Sequence, residues 1–221
     1  MFGNNPIRPP ENGDGQTLQV VEIFPTLQGE GPFTGHPAVF VRLGGCNLAC
    51  AFCDTEFEQF SAMGLEDILH SIEQMSSQRL RDLVVITGGE PLRQNIVPLC
   101  EALLARGYRV QIETNGTLWR PIPPGVSIVC SPKVSGGGYH ALRPDLLARV
   151  DALKFIISDE AGDYHDVGEV GQAARVIPIY VQPMDVHDAS RNAANTARAA
   201  MLAQQHGYRL SLQTHKMLGI P

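Results

Sequence analysis

The sequence predicts an α/β fold: a mostly parallel sheet that forms a partial, open barrel. Three observations lead there. Short apolar runs of strand type alternate with segments whose apolar residues recur at helical spacing, the pattern of successive strand–helix units. Chemically versatile residues follow the strand-like runs directly, at Cys46, Gly88, Thr114, Ser131, Gln182 and Thr214. That is the carboxyl edge, where parallel barrels and open α/β sheets hold their ligands. The chain has 221 residues, short for a complete eight-unit barrel, which takes about 250.

Each element follows from its own pattern. Residues 1–17 are rich in Asn, Pro and Gly without periodicity, so they read as a flexible leader. One domain is expected over residues 18–221. Strands are expected at Leu18–Phe24 and Ala38–Leu43, the second leading into a cysteine-rich loop. Leu65, Ile68, Leu69, Ile72 and Met75 recur at helical spacing. Leu83–Thr87 is a buried-strand pattern that stops at Gly88-Gly89. Ile96, Leu99, Cys100, Leu103 and Leu104 line a helix that Gly107 can end. Strands follow at Arg109–Glu113, Val126–Cys130, Leu153–Ile157, Val176–Val181 and Leu210–Leu212, with an Ala-rich helix over 190–205.

Composition narrows the function. A hydrophobic fraction of 43% and a charged fraction of 18% suit a globular enzyme with a sizeable core. The formal net charge of −6 argues against a nucleic-acid partner, which calls for a basic surface. No apolar run approaches the roughly 20 residues of a membrane span, and the N-terminus lacks a basic-then-apolar signal pattern. Free thiols without that signal fit a cytoplasmic location.

The segment from Gly45 to Thr55 carries the chemistry. Cys46, Cys50 and Cys53 are spaced C-x3-C-x2-C on one short loop. Three protein thiolates leave one iron of a [4Fe-4S] cluster open to chelate a small molecule. A structural zinc site wants four ligands, often as paired C-x2-C units, whereas Cys100 and Cys130 are isolated. A disulfide framework fits poorly with 5 cysteines, an odd number. The loop resembles that of radical S-adenosylmethionine (SAM) enzymes. No side chain is expected to act as a catalytic group, because such chemistry is carried by SAM itself.

Other motifs have a bland alternative each. Thr87-Gly88-Gly89-Glu90-Pro91 is a tight strand-to-helix turn, or a place where a ligand's charged end meets the backbone and Glu90 accepts from an ammonium group. Phe52 is a core plug, or the aromatic beside an adenine, or both. Gln28 and Glu30, with Arg42 on the following strand, form a surface loop or a polar pocket. As residues alone, Thr55 reads as a loop-to-helix cap, Lys133 as a solvated surface lysine and His215 as a tail residue. Cys100 and Cys130 read as small core residues.

Taken together, the chain resembles the 7-carboxy-7-deazaguanine synthase family of the queuosine (7-deazapurine) pathway. The matching stretches are Thr26–Gly31, Phe40–Leu43 with Gly45–Leu48, Cys53–Thr55, Thr87–Pro91, Glu113–Thr117, Ser131–Lys133, Gln182–Asp185 and Gln213–Lys216. Phe52 stands where the family often has Trp. The resemblance implies a modified, incomplete (βα) barrel of the radical SAM type. It also implies a lyase that contracts 6-carboxy-5,6,7,8-tetrahydropterin to 7-carboxy-7-deazaguanine and ammonia. Cys46, Cys50 and Cys53 would bind the [4Fe-4S] cluster and Thr55 would bind Mg2+. Phe52, Asp54, Gly89, Glu90, Ser131, Pro132, Lys133, Gln182, Pro183, Met184 and Asp185 would contact SAM. Leu27, Gln28, Gly29, Glu30, Arg42, Thr87 and His215 would contact the pterin, as would the terminal carboxylate of Pro221. A homodimer and an electron donor such as flavodoxin complete the implication. Glycyl-radical activating enzymes carry a similar cysteine loop, but they act on proteins and need an open site. A non-catalytic metal module would need a fourth thiolate or histidine ligand.

Overall fold

The computed structural model describes residues 5–76, 80–134, 136–160 and 162–221. One sheet runs through it. Its strands are β1 (Thr17–Leu27), β2 (Pro37–Leu43), β3 (Ser61–Gly64), β4 (Leu83–Gly88), β5 (Arg109–Thr114), β6 (Val126–Cys130), β7 (Ala152–Ile157), β8 (Ile179–Pro183) and β9 (Arg209–Leu210). The spatial order is β3-β1-β2-β4-β5-β6-β7-β8-β9. β1 runs antiparallel to β2 and β3, and every neighbour from β2 to β9 is parallel. β3 and β9 remain as edges, so the sheet is open, as expected from the chain length.

The helices are α1 (Leu65–Met75), α2 (Val97–Ala105), α3 (Pro144–Leu147), α4 (Ala189–His206) and α5 (Thr214–Leu218). α1 buries Leu65, Ile68, Leu69 and Ile72, one stripe at helical spacing, and carries Glu66 and Asp67 in its first turn where the helix dipole favours anions. Each such side chain contributes about 1.5–3 kcal/mol when buried. α4 starts where Asp188 Oδ1 accepts from the Arg191 N–H at 2.9 Å and ends at Gly207, whose φ of 71° is left-handed.

Alternation along the strands separates two faces. Val39, Val41, Leu43, Val84, Ile86, Ile112, Ile128, Leu153, Phe155, Ile157 and Val181 join the large core beneath the helices. The opposite face has two small apolar patches, Ala38–Leu83–Val85 and Val129–Ala152–Tyr180. Further along the strands that face turns polar, two residues beyond Val85, Ala152 and Tyr180 at Thr87, Lys154 and Gln182, and four beyond Ala38 at Arg42. The site is therefore built on the inner face, at its carboxyl end.

Several boundaries differ from expectation. β8 begins at Ile179; Val176 lies fully exposed ahead of Pro178. β9 stops at Leu210, and Gln213–Lys216 turns into α5 instead of prolonging a strand. β3 and α3 carry too few patterned residues to be read in advance. The leader also differs. Residues 5–16 lie against the body: Ile7 forms a parallel bridge with Cys46, and Glu11 pairs with Arg93. Residues 1–4 of that leader lie outside the described residues.

Candidate active site

A cavity of about 350 Å3 opens at the carboxyl edge. Every site residue expected from the sequence lines it except Gly29, Glu90 and Pro132. Residues distant in the chain thus meet here: Cys46, Gly89, Asn115 and Ser131 sit just beyond the ends of parallel strands, whereas Leu27, Gln28 and Glu30 reach the cavity from the end of antiparallel β1.

β2 delivers the cysteine loop. Cys46, Cys50 and Cys53 are free thiols facing this cavity. The Leu48 N–H donates to Cys46 Sγ at 3.4 Å, and the Cys53 N–H donates to the Cys50 carbonyl at 3.1 Å. Asn115, just past β5, supports the loop by donating to Asn47 Oδ1 at 3.0 Å, with Cys46 Sγ 3.9 Å away. Burial raises the pKa of all three thiols, and that of Cys46 is pushed up to about 12. A coordinating metal reverses this by holding the thiolate outright. Among the described residues no three Cys, His, Asp or Glu side chains gather tightly enough to cage a single ion. Three thiols spread around one loop suit the corners of an iron–sulfur cluster with an open iron.

β4 delivers the glycine turn. A Cβ on Gly89 would lie 2.0 Å from the Gly45 carbonyl oxygen, so the turn must be Gly to sit against the cysteine loop. Glu90 turns away from the cavity and is fully buried. Its carboxylate accepts from Thr114 Oγ1 and the Asn115 N–H, each at 2.7 Å, and from the Leu92 N–H at 3.0 Å. Burial still raises its pKa despite these donors. Glu90 ties the β4 turn to the end of β5 and does not line the cavity. Phe52 packs edge-on against Tyr164 with centroids 4.9 Å apart, and lines the cavity beside it.

The far wall is charged. β7 pairs with β6 only from Val129–Ala152 to Cys130–Leu153, so β7 projects past the end of β6. That offset carries Lys154 to the rim. Its Nζ donates to Glu113 Oε2 at 2.7 Å and to Glu30 Oε2. Burial opposes the lysine's charge, but Glu113 and Glu30 hold its pKa above the ordinary value. Burial likewise opposes the Glu30 carboxylate, and Lys154 outweighs it, bringing Glu30 down to about 2. Gln28 and Gln111 both donate to Glu113 Oε1, at 3.2 and 2.7 Å. Gln213 donates to Glu30 Oε1 at 2.9 Å.

The remaining residues close the rim. Lys216 bridges Asp54 (2.7 Å) and Asp185 (2.8 Å), joining the cysteine loop to the end of β8, and the lysine lowers both carboxyl pKa values against burial. Thr55 Oγ1 donates to Asp54 Oδ1 at 3.2 Å. Lys133 Nζ donates to Ser131 Oγ at 2.7 Å and the Ser131 carbonyl at 2.8 Å. Arg42 pairs with Glu22 at 2.7 Å and lies 5.4 Å from the Phe24 ring. A Cβ on Gly29 would strike His215 Nδ1 at 2.0 Å, so α5 docks directly on this glycine. The Thr26 hydroxyl donates to the Pro221 oxygen at 2.5 Å.

The site residues expected from the sequence omit Lys154, Glu113, Asn115, Gln213 and Lys216, although all but Lys154 stand in the stretches that match the family. Lys154 has a signal of its own, as the single charge inside the otherwise apolar run Ala152–Ile157.

Comparisons with known proteins now bear on this site. Residues 40–123, which span the cysteine loop, the glycine turn and Asn115, match the family described as the Radical SAM superfamily. The 7-carboxy-7-deazaguanine synthase of Rickettsia prowazekii (strain Madrid E) is 53% identical, covering 100% of this chain and 96% of that protein. The chain belongs to the 7-carboxy-7-deazaguanine synthase family. A second member, from Rhodospirillum rubrum, is 48% identical with both chains covered over 100%. The crystal structure of QueE from Escherichia coli is similar at a TM-score of 0.71 and 28% identity, covering 91% of this chain and 99% of that one. As a radical SAM enzyme of the 7-carboxy-7-deazaguanine synthase family, the protein takes a [4Fe-4S] cluster and SAM, and its three loop thiols fit that role. No helix among the described residues is long and apolar enough to cross a membrane.

Proposed function

We propose that this cavity contracts 6-carboxy-5,6,7,8-tetrahydropterin to 7-carboxy-7-deazaguanine with release of ammonia, as a step of queuosine (7-deazapurine) biosynthesis. The observation that carries the reading is that the three thiols and the Lys154-held carboxylates Glu30 and Glu113 line one cavity. A pterin edge presents neighbouring N–H donors, and ionised carboxylates accept from such donors as a pair. Glu30 is ionised at neutral pH because Lys154 lies against it. His215, its pKa lowered by burial with Glu30 opposing, is neutral there and presents one ring donor and one acceptor.

Cys46, Cys50 and Cys53 would hold the cluster, which when bound would supply the reducing electron for SAM cleavage. Gly89 lets the SAM methionyl group approach the turn. Phe52, Asp54, Ser131, Pro132, Lys133 and Gln182 to Asp185 complete the SAM site, with Glu90 acting from behind the turn. Leu27, Gln28, Gly29, Glu30, Arg42, Thr87, His215 and Pro221 form the pterin site. Arg42 supplies the positive charge that a substrate carboxylate calls for. Thr55 offers one neutral oxygen to Mg2+, a hard ion that then draws its other ligands from water and substrate. Substrate and products differ by rearrangement alone, so no net electrons enter or leave and SAM acts catalytically. The homodimer, the flavodoxin-type donor and the cytoplasmic setting of the family belong to the same proposal.

The test is anaerobic turnover. Reconstituted protein given SAM, a reductant, Mg2+ and the tetrahydropterin should release ammonia and the deazaguanine in equal amounts. SAM cleavage with the pterin left unchanged would overturn the substrate assignment.

A further inference from the structure

The segment ahead of β1 makes contacts that neither the cluster motif nor the pterin site calls for. Ile7 pairs with Cys46 in a parallel bridge, and the Arg8 N–H donates to the Cys46 carbonyl at 2.7 Å. Asn5, 7% exposed, donates through Nδ2 to the Thr55 carbonyl at 3.0 Å. The Arg8 guanidinium grips the Glu58 carboxylate with Nε at 2.8 Å and Nη2 at 2.5 Å, and lies 5.2 Å from the Phe60 ring. Anchors at Asn5, Ile7 and Arg8 therefore join the residue that opens the cysteine loop to residues just past its last ligand.

The far end of the segment is fixed as firmly. The Glu11 N–H donates to the Arg93 carbonyl at 2.8 Å, and Glu11 Oε1 accepts from Arg93 Nη1 at 2.7 Å. Arg93 is 2% exposed and also donates to the Gly44 carbonyl at 3.0 Å, two residues before Cys46. Pro6, Pro9 and Pro10 restrict this stretch to extended conformations, so ordering it costs little chain entropy.

We propose that residues 5–11 form a strap that clamps both ends of the cysteine loop and holds it in its cluster-receiving shape before iron arrives. The strap rests on the radical SAM reading of the loop. Between Cys46 and Glu58 the chain forms no helix or strand. Such a loop loses conformational entropy when its ends are brought together. The strap meets that cost in the folded protein, so iron and sulfide enter a loop already closed. Asn5, Arg8 and Glu11 are positioning residues: the Asn5 side chain holds the loop backbone at Thr55, that of Arg8 holds Glu58 just past the loop, and that of Glu11 holds Arg93, which donates to the Gly44 carbonyl.

Two measurements test this. In iron-free protein, amide hydrogen exchange over residues 47–56 should be several-fold faster in the double variant Asn5→Ala with Arg8→Ala, while the thermal midpoint stays close to the parent's. After reconstitution, the same variant should lose its cluster absorbance several-fold faster in air, and the reduced cluster's electron paramagnetic signal should broaden. Arg8→Lys keeps the charge and restores part of the retention. Unchanged exchange in the loop would overturn the clamp, as would a midpoint that falls in step with cluster loss. Iron content of the parent reports separately on the cluster assignment, so the two readings fail by different measurements.

Discussion

β2 and β4 are paired all the way from Ala38–Leu83 to Leu43–Gly88, whereas β6 and β7 meet only at Val129–Ala152 and Cys130–Leu153. In the first region, α1 and α2 cover the outer face and the strand ends lie level. The cysteine loop and the glycine turn leave those ends side by side, and Gly45 and Gly89 meet backbone to backbone. In the second region, one short helix, α3, is the α-helix described between β5 and β8. There the strand ends are staggered, and the stagger lifts Lys154 to the rim between Glu30 and Glu113. The first region assembles its part of the site from local motifs, while the second assembles its part from register. The difference teaches that one cavity can have a wall written in short sequence words and a wall that exists only after strands pair.

The largest expected effect separates the walls outright. Cys46→Ala, Cys50→Ala or Cys53→Ala should each abolish SAM cleavage, while Cys100→Ala and Cys130→Ala retain it, because the last two are fully buried among core side chains. Full cleavage by any of the first three would move the cluster elsewhere.

Lys154→Met should do the opposite to the other wall. Removing one partner of a buried ion pair costs about 3–5 kcal/mol, so the urea midpoint should fall sharply and pterin turnover should be lost while iron content stays at the parent level. If this variant loses its iron as well, the two walls are not independent.

Gly89→Ala strikes the contact inside the first wall. The added Cβ has backbone 2.0 Å away that cannot yield cheaply. Overpacking of this kind costs about 1–3 kcal/mol, or roughly tenfold in binding. Calorimetric titration of SAM should show that weakening with the pterin site intact.

The smallest effect is on pH. The Glu30 carboxyl is held at about 2 in the folded protein against 4.5 for the free group. A depressed carboxyl stabilises the fold above pH 4.5, and that contribution is lost as pH falls from 4.5 toward 2. Unfolding of the iron-free protein by urea at steps across that range should show the loss, and Glu30→Gln should flatten it. An unchanged slope in the variant would place the titration on another carboxyl.

The sequence was legible where function depends on residues close together in the chain. Cys46, Cys50 and Cys53 declare a loop ligand set by spacing alone, and Gly88-Gly89 after an apolar run declares a turn that something must approach. The helical stripe of α1 and most strands could be read for the same reason, since period and burial are local properties. Glu90 shows the limit: its neighbours make it look like a ligand for an ammonium group, but it is fully buried behind the turn, outside the cavity lining, where it accepts from Thr114 and Asn115. The leader shows another, because its lack of periodicity hides an extended segment held by Asn5, Arg8 and Glu11.

By itself the sequence determined the α/β alternation, the open sheet, the cluster loop and, through the motifs spread from residue 26 onward, the family. Only the tertiary structure decided that Lys154 pairs with both Glu30 and Glu113, that α5 docks on Gly29, and that the segment before β1 braces Cys46. These depend on strand register and on contacts between residues as far apart in the chain as Gly29 and His215, or Thr26 and Pro221. No local pattern encodes such distances, because the free energy that fixes them comes from burying the whole inner and outer faces of the sheet together.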